Sequence, residues 1–296
     1  MHVTTLGRLF WKALKDWIAD NGPSSGAAIA YYTLFALAPV LIIVIALAGL
    51  VFGQDAVRGE IVNQIQDLIG VEGATAIQSI LQRARERRGI GASAFGLVGL
   101  LFAATGAFLE LQAALNRAWR VRTETDGGID VKGLARRRLR SLAMVVSIAF
   151  LLLVSLSVSA AVNAVLSMLN SFSVGWPVMI EVVNQGVSLF ITALMFGAIF
   201  MVLPDVHLHW RDVSVGAFTT AVLFAIGQRV IGVYLGNSAL ASPFGAAGTV
   251  AIILVWVYYS TQILLYGAQF TRVLAEHRGT RPAPMQGAER TAPSSA

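Results

Sequence analysis

The chain has no cysteine, four histidines, and only 13% Asp, Glu, Lys and Arg among its 296 residues. Without cysteine, neither disulfides nor thiolate metal sites can hold or serve the protein. The scarcity of charge excludes an ordinary soluble domain, which carries about 25% charged and about 45–50% apolar residues. Here 56% are hydrophobic, too much apolar surface for one soluble core to hide. Motifs of chemistry are also missing: there is no phosphate-binding glycine loop, no nucleophile elbow and no HExxH. His207 and His209, beside Asp205, lack a third ligand of fixed geometry and make a poor metal site. The expectation is a protein that is not an enzyme and holds no cofactor and no metal.

The apolar residues are gathered in six long stretches, approximately Gly26–Phe52, Ala92–Ala114, Leu142–Leu166, Val178–Leu203, Val213–Leu235 and Ala246–Val273. A bilayer core about 30 Å thick needs roughly 20 apolar residues at 1.5 Å each. Backbone groups in lipid must be satisfied within the segment, so such runs imply helices, and no strand-like alternation suggests a barrel. The fold class expected is all-α: one polytopic membrane domain over residues 1–278 with six transmembrane helices. The tail over 279–296, rich in Pro, Ser and Ala, reads as disordered.

Before the first stretch, Leu6, Leu9, Phe10, Ala13, Leu14, Trp17 and Ile18 recur at three-and-four spacing, with Arg8, Lys12 and Lys15 on another face. That pattern predicts an interfacial amphipathic helix over 5–20, broken by Asn21-Gly22-Pro23. In the first loop, Val57, Ile61, Ile65 and Leu68, then Ala74, Ile77, Leu81 and Ala84, predict two more amphipathic helices on the outer side. Lys and Arg number 16 on the side of both termini, with Arg272 counted there, against 5 on the other. Positive residues stay inside, so both termini are expected in the cytoplasm. The net charge of +6 is explained by this topology and by anionic membrane lipids, so no nucleic acid is expected as partner.

Polar side chains inside apolar stretches are the candidates for function. Glu110 ends a stripe of Gly96, Gly99, Ala103 and Gly106, with Arg117 as a candidate partner. Ser155, Ser159, Asn163 and Ser167 form a second stripe, Gln185, Ser188 and Thr192 a third, and Tyr259, Gln262, Tyr266 and Gln269 a fourth. Each stripe serves either to pack helices together or to line a common polar cavity. Arg229 lies within the fifth stretch and Glu181 near the outer end of the fourth. A charge at mid-membrane costs on the order of 2.5–3.5 kcal/mol, so Arg229 either pairs with Glu181 at the mouth of that cavity or snorkels to the headgroups. Pro39 interrupts the first span and is expected to bend it.

Gly22-Pro23 ahead of the segment from Ala28 to Pro39, the stretch Phe108 to Asn116, Leu203-Pro204-Asp205, and Gly248-Thr249 leading into Tyr259 to Ala268 resemble the YihY/BrkB family of bacterial inner-membrane proteins. The resemblance runs over nearly the whole chain to about residue 278. It implies six helices in a bacterial plasma membrane. It also brings an old label of ribonuclease BN, regarded as a misassignment, and a "virulence factor" label. The family's proposed roles lean to transport, and no catalytic residues carry over. A transporter or flippase-like protein moving a small solute or lipid headgroup is therefore expected, with a non-catalytic scaffold for envelope assembly as the alternative and a membrane ribonuclease last. Its substrate and oligomeric state are not written in the sequence.

Overall fold

The computed structural model describes residues 3–55, 57–59, 61–63, 66, 74–75, 77–79, 82, 106–123, 177–237, 246–280, 282–285 and 288–290. Most of the second and all of the third expected span, with Asn163 and its serine stripe, lie outside these residues, as does the side chain of Glu181. The described chain is mostly helical. Its long helices are α1 (Val3–Ala19), α2 (Gly22–Phe52), α3 (Pro177–Val202), α4 (Trp210–Asn237) and α5 (Ala246–His277), and residues 106–118 are helical as well. Among the described residues three segments are long and apolar enough to cross a membrane: Gln185–Val202, Trp210–Ile231 and Val250–His277. The described residues of the first loop, such as 57–59 and 77–79, are also helical, with Val57, Ala74 and Ile77 buried.

Local chemistry accounts for the helix ends. Asn21 takes the left-handed conformation (φ 55°) that closes α1, and Pro23 stands in the first turn of α2, where its missing N–H costs nothing. The helix assignment of α2 continues through Pro39.

The chain divides into two compact units: Met1–Asp16, Leu115–Ala225 and Tyr266–Ala296 in one, Trp17–Ala114 and Ile226–Leu265 in the other. In the first unit, Leu9 and Ala13 of α1 bury against Phe270, Val273 and Leu274 in the last turns of α5, and the rings of Phe10 and Phe270 meet at 4.4 Å. Where α4 crosses α5 the contact is built from small residues. A Cβ on Gly216 would overlap the side chain of Thr271, and one on Gly267 would overlap Thr220. Each threonine hydroxyl donates to the carbonyl four residues back, Thr220 to Gly216 at 2.7 Å and Thr271 to Gly267 at 2.6 Å, so no polar hydrogen is left in the contact. In lipid, where burial between helices gains nothing over the acyl chains, this backbone approach is what holds two helices together.

The all-α expectation meets one exception, a pair of short strands, the second of which lies in the 279–296 tail. Strands β1 (Val121–Thr123) and β2 (Ala288–Arg290) pair antiparallel, Val121 opposite Arg290. Just before β2, His207 N–H donates to Ala283 C=O at 2.9 Å and Met285 N–H to Asp205 C=O at 3.0 Å. Backbone groups do this work, so a Pro-, Ser- and Ala-rich composition gives no sign of it.

Candidate functional site

Helix α5 carries the polar stripe into the structure, and the two units use it differently. In the second unit, Tyr259 and Gln262 each face a glycine notch on another helix. A Cβ on Gly227 of α4 would overlap the ring of Tyr259, and one on Gly26 of α2 would overlap the Gln262 amide. Gln262 Nε2 donates to the Pro23 carbonyl at 3.3 Å, while its Oε1 is buried with no hydrogen-bond partner. The hydroxyl of Ser260 is buried in the same condition. Gln262 lies within Val250–His277, a segment of membrane-crossing length, and faces the first turns of α2. A buried acceptor left without a donor costs about 1–3 kcal/mol, so its retention needs a reason.

In the first unit the same stripe ends in a network that matches Arg272 on every side, although Arg120 Nε beside it is buried without a hydrogen-bond partner. Residues 267–275 are buried without a break. Arg272, only 3% exposed, donates from Nη2 to Asp16 Oδ2 of α1 at 2.5 Å, from Nη1 to Glu276 Oε1 at 2.5 Å, and from Nε to Gln269 Oε1 at 3.3 Å. Asp16 meets a second guanidinium, Arg120 Nη2, at 3.5 Å, and Lys12 reaches Glu276 at 3.2 Å on the exposed side. Tyr266 donates to the Phe10 carbonyl of α1 at 3.2 Å. A guanidinium buried this deeply is tolerated because its fork is matched by carboxylates and an amide oxygen.

A second matched contact joins the helix over 106–118 to the turn after α3. Asn116 Nδ2 donates to Asp205 Oδ2 at 2.8 Å, and Asp205 N–H donates to Asn116 Oδ1 at 2.8 Å.

The remaining candidates are scattered. Glu110 is half-buried and engaged in interactions of its own, and Arg117 is exposed. Gln185 is exposed on α3, where Thr192 donates back to the Ser188 carbonyl at 2.9 Å. Arg229 is exposed on the same open face of α4 as Ile226 and Val230. His207 and His209 are exposed, and among the described residues no three His, Cys, Asp or Glu side chains gather as a metal site would require.

The sequence reading missed Asp16, Arg120, Arg272 and Glu276. One signal was present: Arg272 follows Gln269 by three residues and Glu276 follows Arg272 by four, so the stripe of Tyr259, Gln262, Tyr266 and Gln269 runs on unbroken. Nothing local marks Asp16 as its partner 256 positions away.

A family model described as virulence factor BrkB matches residues 13–292. A UPF0761 membrane protein of Saccharophagus degradans is 26% identical over 282 residues, which covers 93% of this chain and 61% of that protein. A UPF0761 membrane protein of Ralstonia nicotianae is 28% identical over 283 residues, covering 92% and 60%. The putative ribonuclease-like protein YfkH of Bacillus subtilis is 24% identical over 263 residues, covering 87% and 92%. The chain thus spans about three fifths of the length of the first two relatives. No solved structure matches the chain.

Proposed function

The chain belongs to the virulence factor BrkB family of membrane proteins, and we propose that it is a carrier that moves a small solute or a lipid headgroup across a bacterial plasma membrane. In this reading six helices span the bilayer, both termini are cytoplasmic, and the protein performs no covalent chemistry. The observation that carries it is the Gln262 amide oxygen, buried without a donor. A polar acceptor kept open within a membrane-length helix is what a passing hydrogen-bond donor needs. Tyr259, one turn earlier, and the glycine notches at Gly26 and Gly227 supply the close backbone approach that such a site uses.

The test is flux through the purified protein in proteoliposomes, across a panel of solutes and fluorescent lipids that includes anionic ones. Movement that falls at least tenfold in the Gln262→Leu variant, with the fold intact, supports the reading. No movement and no binding over the panel rejects it and favours the scaffold alternative, which predicts stable partners by crosslinking and indifference to Gln262→Leu. The ribonuclease-like name of the Bacillus subtilis relative is tested with the same preparation: RNA cleavage lost on changing His207 and His209 would replace the carrier reading with an enzymatic one.

A further inference from the structure

Helix α1 has two apolar edges, and among the described residues one of them is packed inside the protein. Leu9 and Ala13 are consumed in packing on α5. The other edge runs along Gly7, Leu14 and Trp11, and is continued in the same helix by Ile18. Trp11 is 60% exposed and Ile18 57% exposed, and a Cβ added at Gly7 would meet nothing within 4 Å. Lys15 borders this edge, and its Nζ sits 5.8 Å from the centre of the Trp11 ring. The acidic residue of α1, Asp16, is turned inward onto Arg272 and Arg120, away from Lys15 on the open side.

We infer that the Trp11 edge of α1, with Lys15, is a docking surface for anionic phospholipid headgroups. Its depth follows from what α1 is fastened to. Leu9 and Ala13 sit on Phe270, Val273 and Leu274, and Asp16 on Arg272, the last turns of a helix long enough to cross the membrane. A helix clamped to the end of a span lies at headgroup level, where tryptophan is favoured and a basic side chain reaches phosphate. The inference rests on the membrane placement proposed above and not on transport, so a protein that moves nothing would still show it.

The cysteine-free chain allows a direct test in the full-length protein. A single Gly7→Cys variant carries a fluorophore on the open edge, with an Ala283→Cys variant as the exposed reference in the tail. Both are placed in nanodiscs of phosphatidylcholine alone or mixed with phosphatidylglycerol. The label at 7 should be shielded from an aqueous quencher that reaches the label at 283, and should be quenched by spin-labelled anionic lipid more than by its zwitterionic counterpart. Lys15→Ala should lower that anionic preference by about fivefold, the usual effect of one basic residue at a membrane surface. Aqueous quenching at 7 equal to that at 283 overturns the proposal. So does equal quenching by both lipids, or shielding from water and lipid alike, which would mean that a protein surface covers this edge.

Discussion

The two halves of α5 treat polar groups in opposite ways. In residues 266–277 every strong group named above is matched: Arg272 by two carboxylates and an amide, Tyr266 by a carbonyl, Thr271 by its own helix. In residues 246–265 the Gln262 acceptor and the Ser260 hydroxyl are buried and unmatched. The same helix thus supplies both a matched anchor and a buried acceptor without a donor. The difference teaches where to expect loss of fold and where to expect loss of activity alone.

Breaking the matched half should have the largest effect. Arg272→Ala would strand Asp16 and Gln269, and removing one partner of a buried pair costs about 3–5 kcal/mol. The lower end of that range applies, because Asp16 keeps Arg120 at 3.5 Å and its side chain is 17% exposed. The midpoint of denaturant unfolding in detergent checks this, and Asp16→Asn, which retains an acceptor, should cost less. The exposed Lys12 pair with Glu276 predicts the contrast: Lys12→Ala should move the midpoint little, since such pairs contribute about 0–1 kcal/mol.

Asn116→Ala comes next. It removes both 2.8 Å bonds to Asp205 and leaves the Asp205 N–H without that acceptor, a loss of about 1.5–3 kcal/mol. Faster hydrogen exchange over residues 203–207, with α5 unchanged, would locate the damage. Unchanged exchange there would show that the contact is not maintained in the membrane.

How much of this was open to sequence reading depends on the range over which the cause acts. Length and apolar composition are local, so the starts of α2 and α3 and the course of α5 lie within a few residues of the stretches read from composition alone. The turn at Asn21-Gly22-Pro23 is local as well. The link from Asp16 to Arg272, and that from Asn116 to Asp205, join residues far apart, and no periodicity in one chain reports them. The Gly-x-x-x-Thr spacing at Gly216 and Thr220, and again at Gly267 and Thr271, was visible but ordinary. Only the crossing of α4 on α5 gives it meaning.

That crossing makes a sharper test, because its two sides answer each other. Gly216→Ala should cost about 1–3 kcal/mol through overlap with Thr271, as overpacking of a close contact does. Thr271→Ala in the same chain should recover part of the loss, and Thr220→Ala should do the same for Gly267→Ala. A coupling of about 0.5–3 kcal/mol in each double-mutant cycle is the expected signature. Additive losses would mean that α4 and α5 do not approach there at those residues.

The smallest effect on stability is expected where the effect on activity is largest. Gln262→Leu keeps nearly the same volume and removes an amide oxygen that has no partner. What it gives up is one long bond, 3.3 Å, to a carbonyl in the first turn of α2 that the helix ladder can still serve. Replacing a polar group that is only half satisfied by an apolar one of similar shape is close to neutral, so the unfolding midpoint should stay within about 1 kcal/mol of the parent or rise. Gly26→Ala approaches the same group from the other side: its Cβ would displace the amide without changing its chemistry. If Gln262 serves a passing donor, both variants lose flux, and only Gly26→Ala also loses stability. Should Gln262→Leu unfold the protein as Arg272→Ala does, the two halves of α5 would not differ in kind, and the open acceptor would be one more strut.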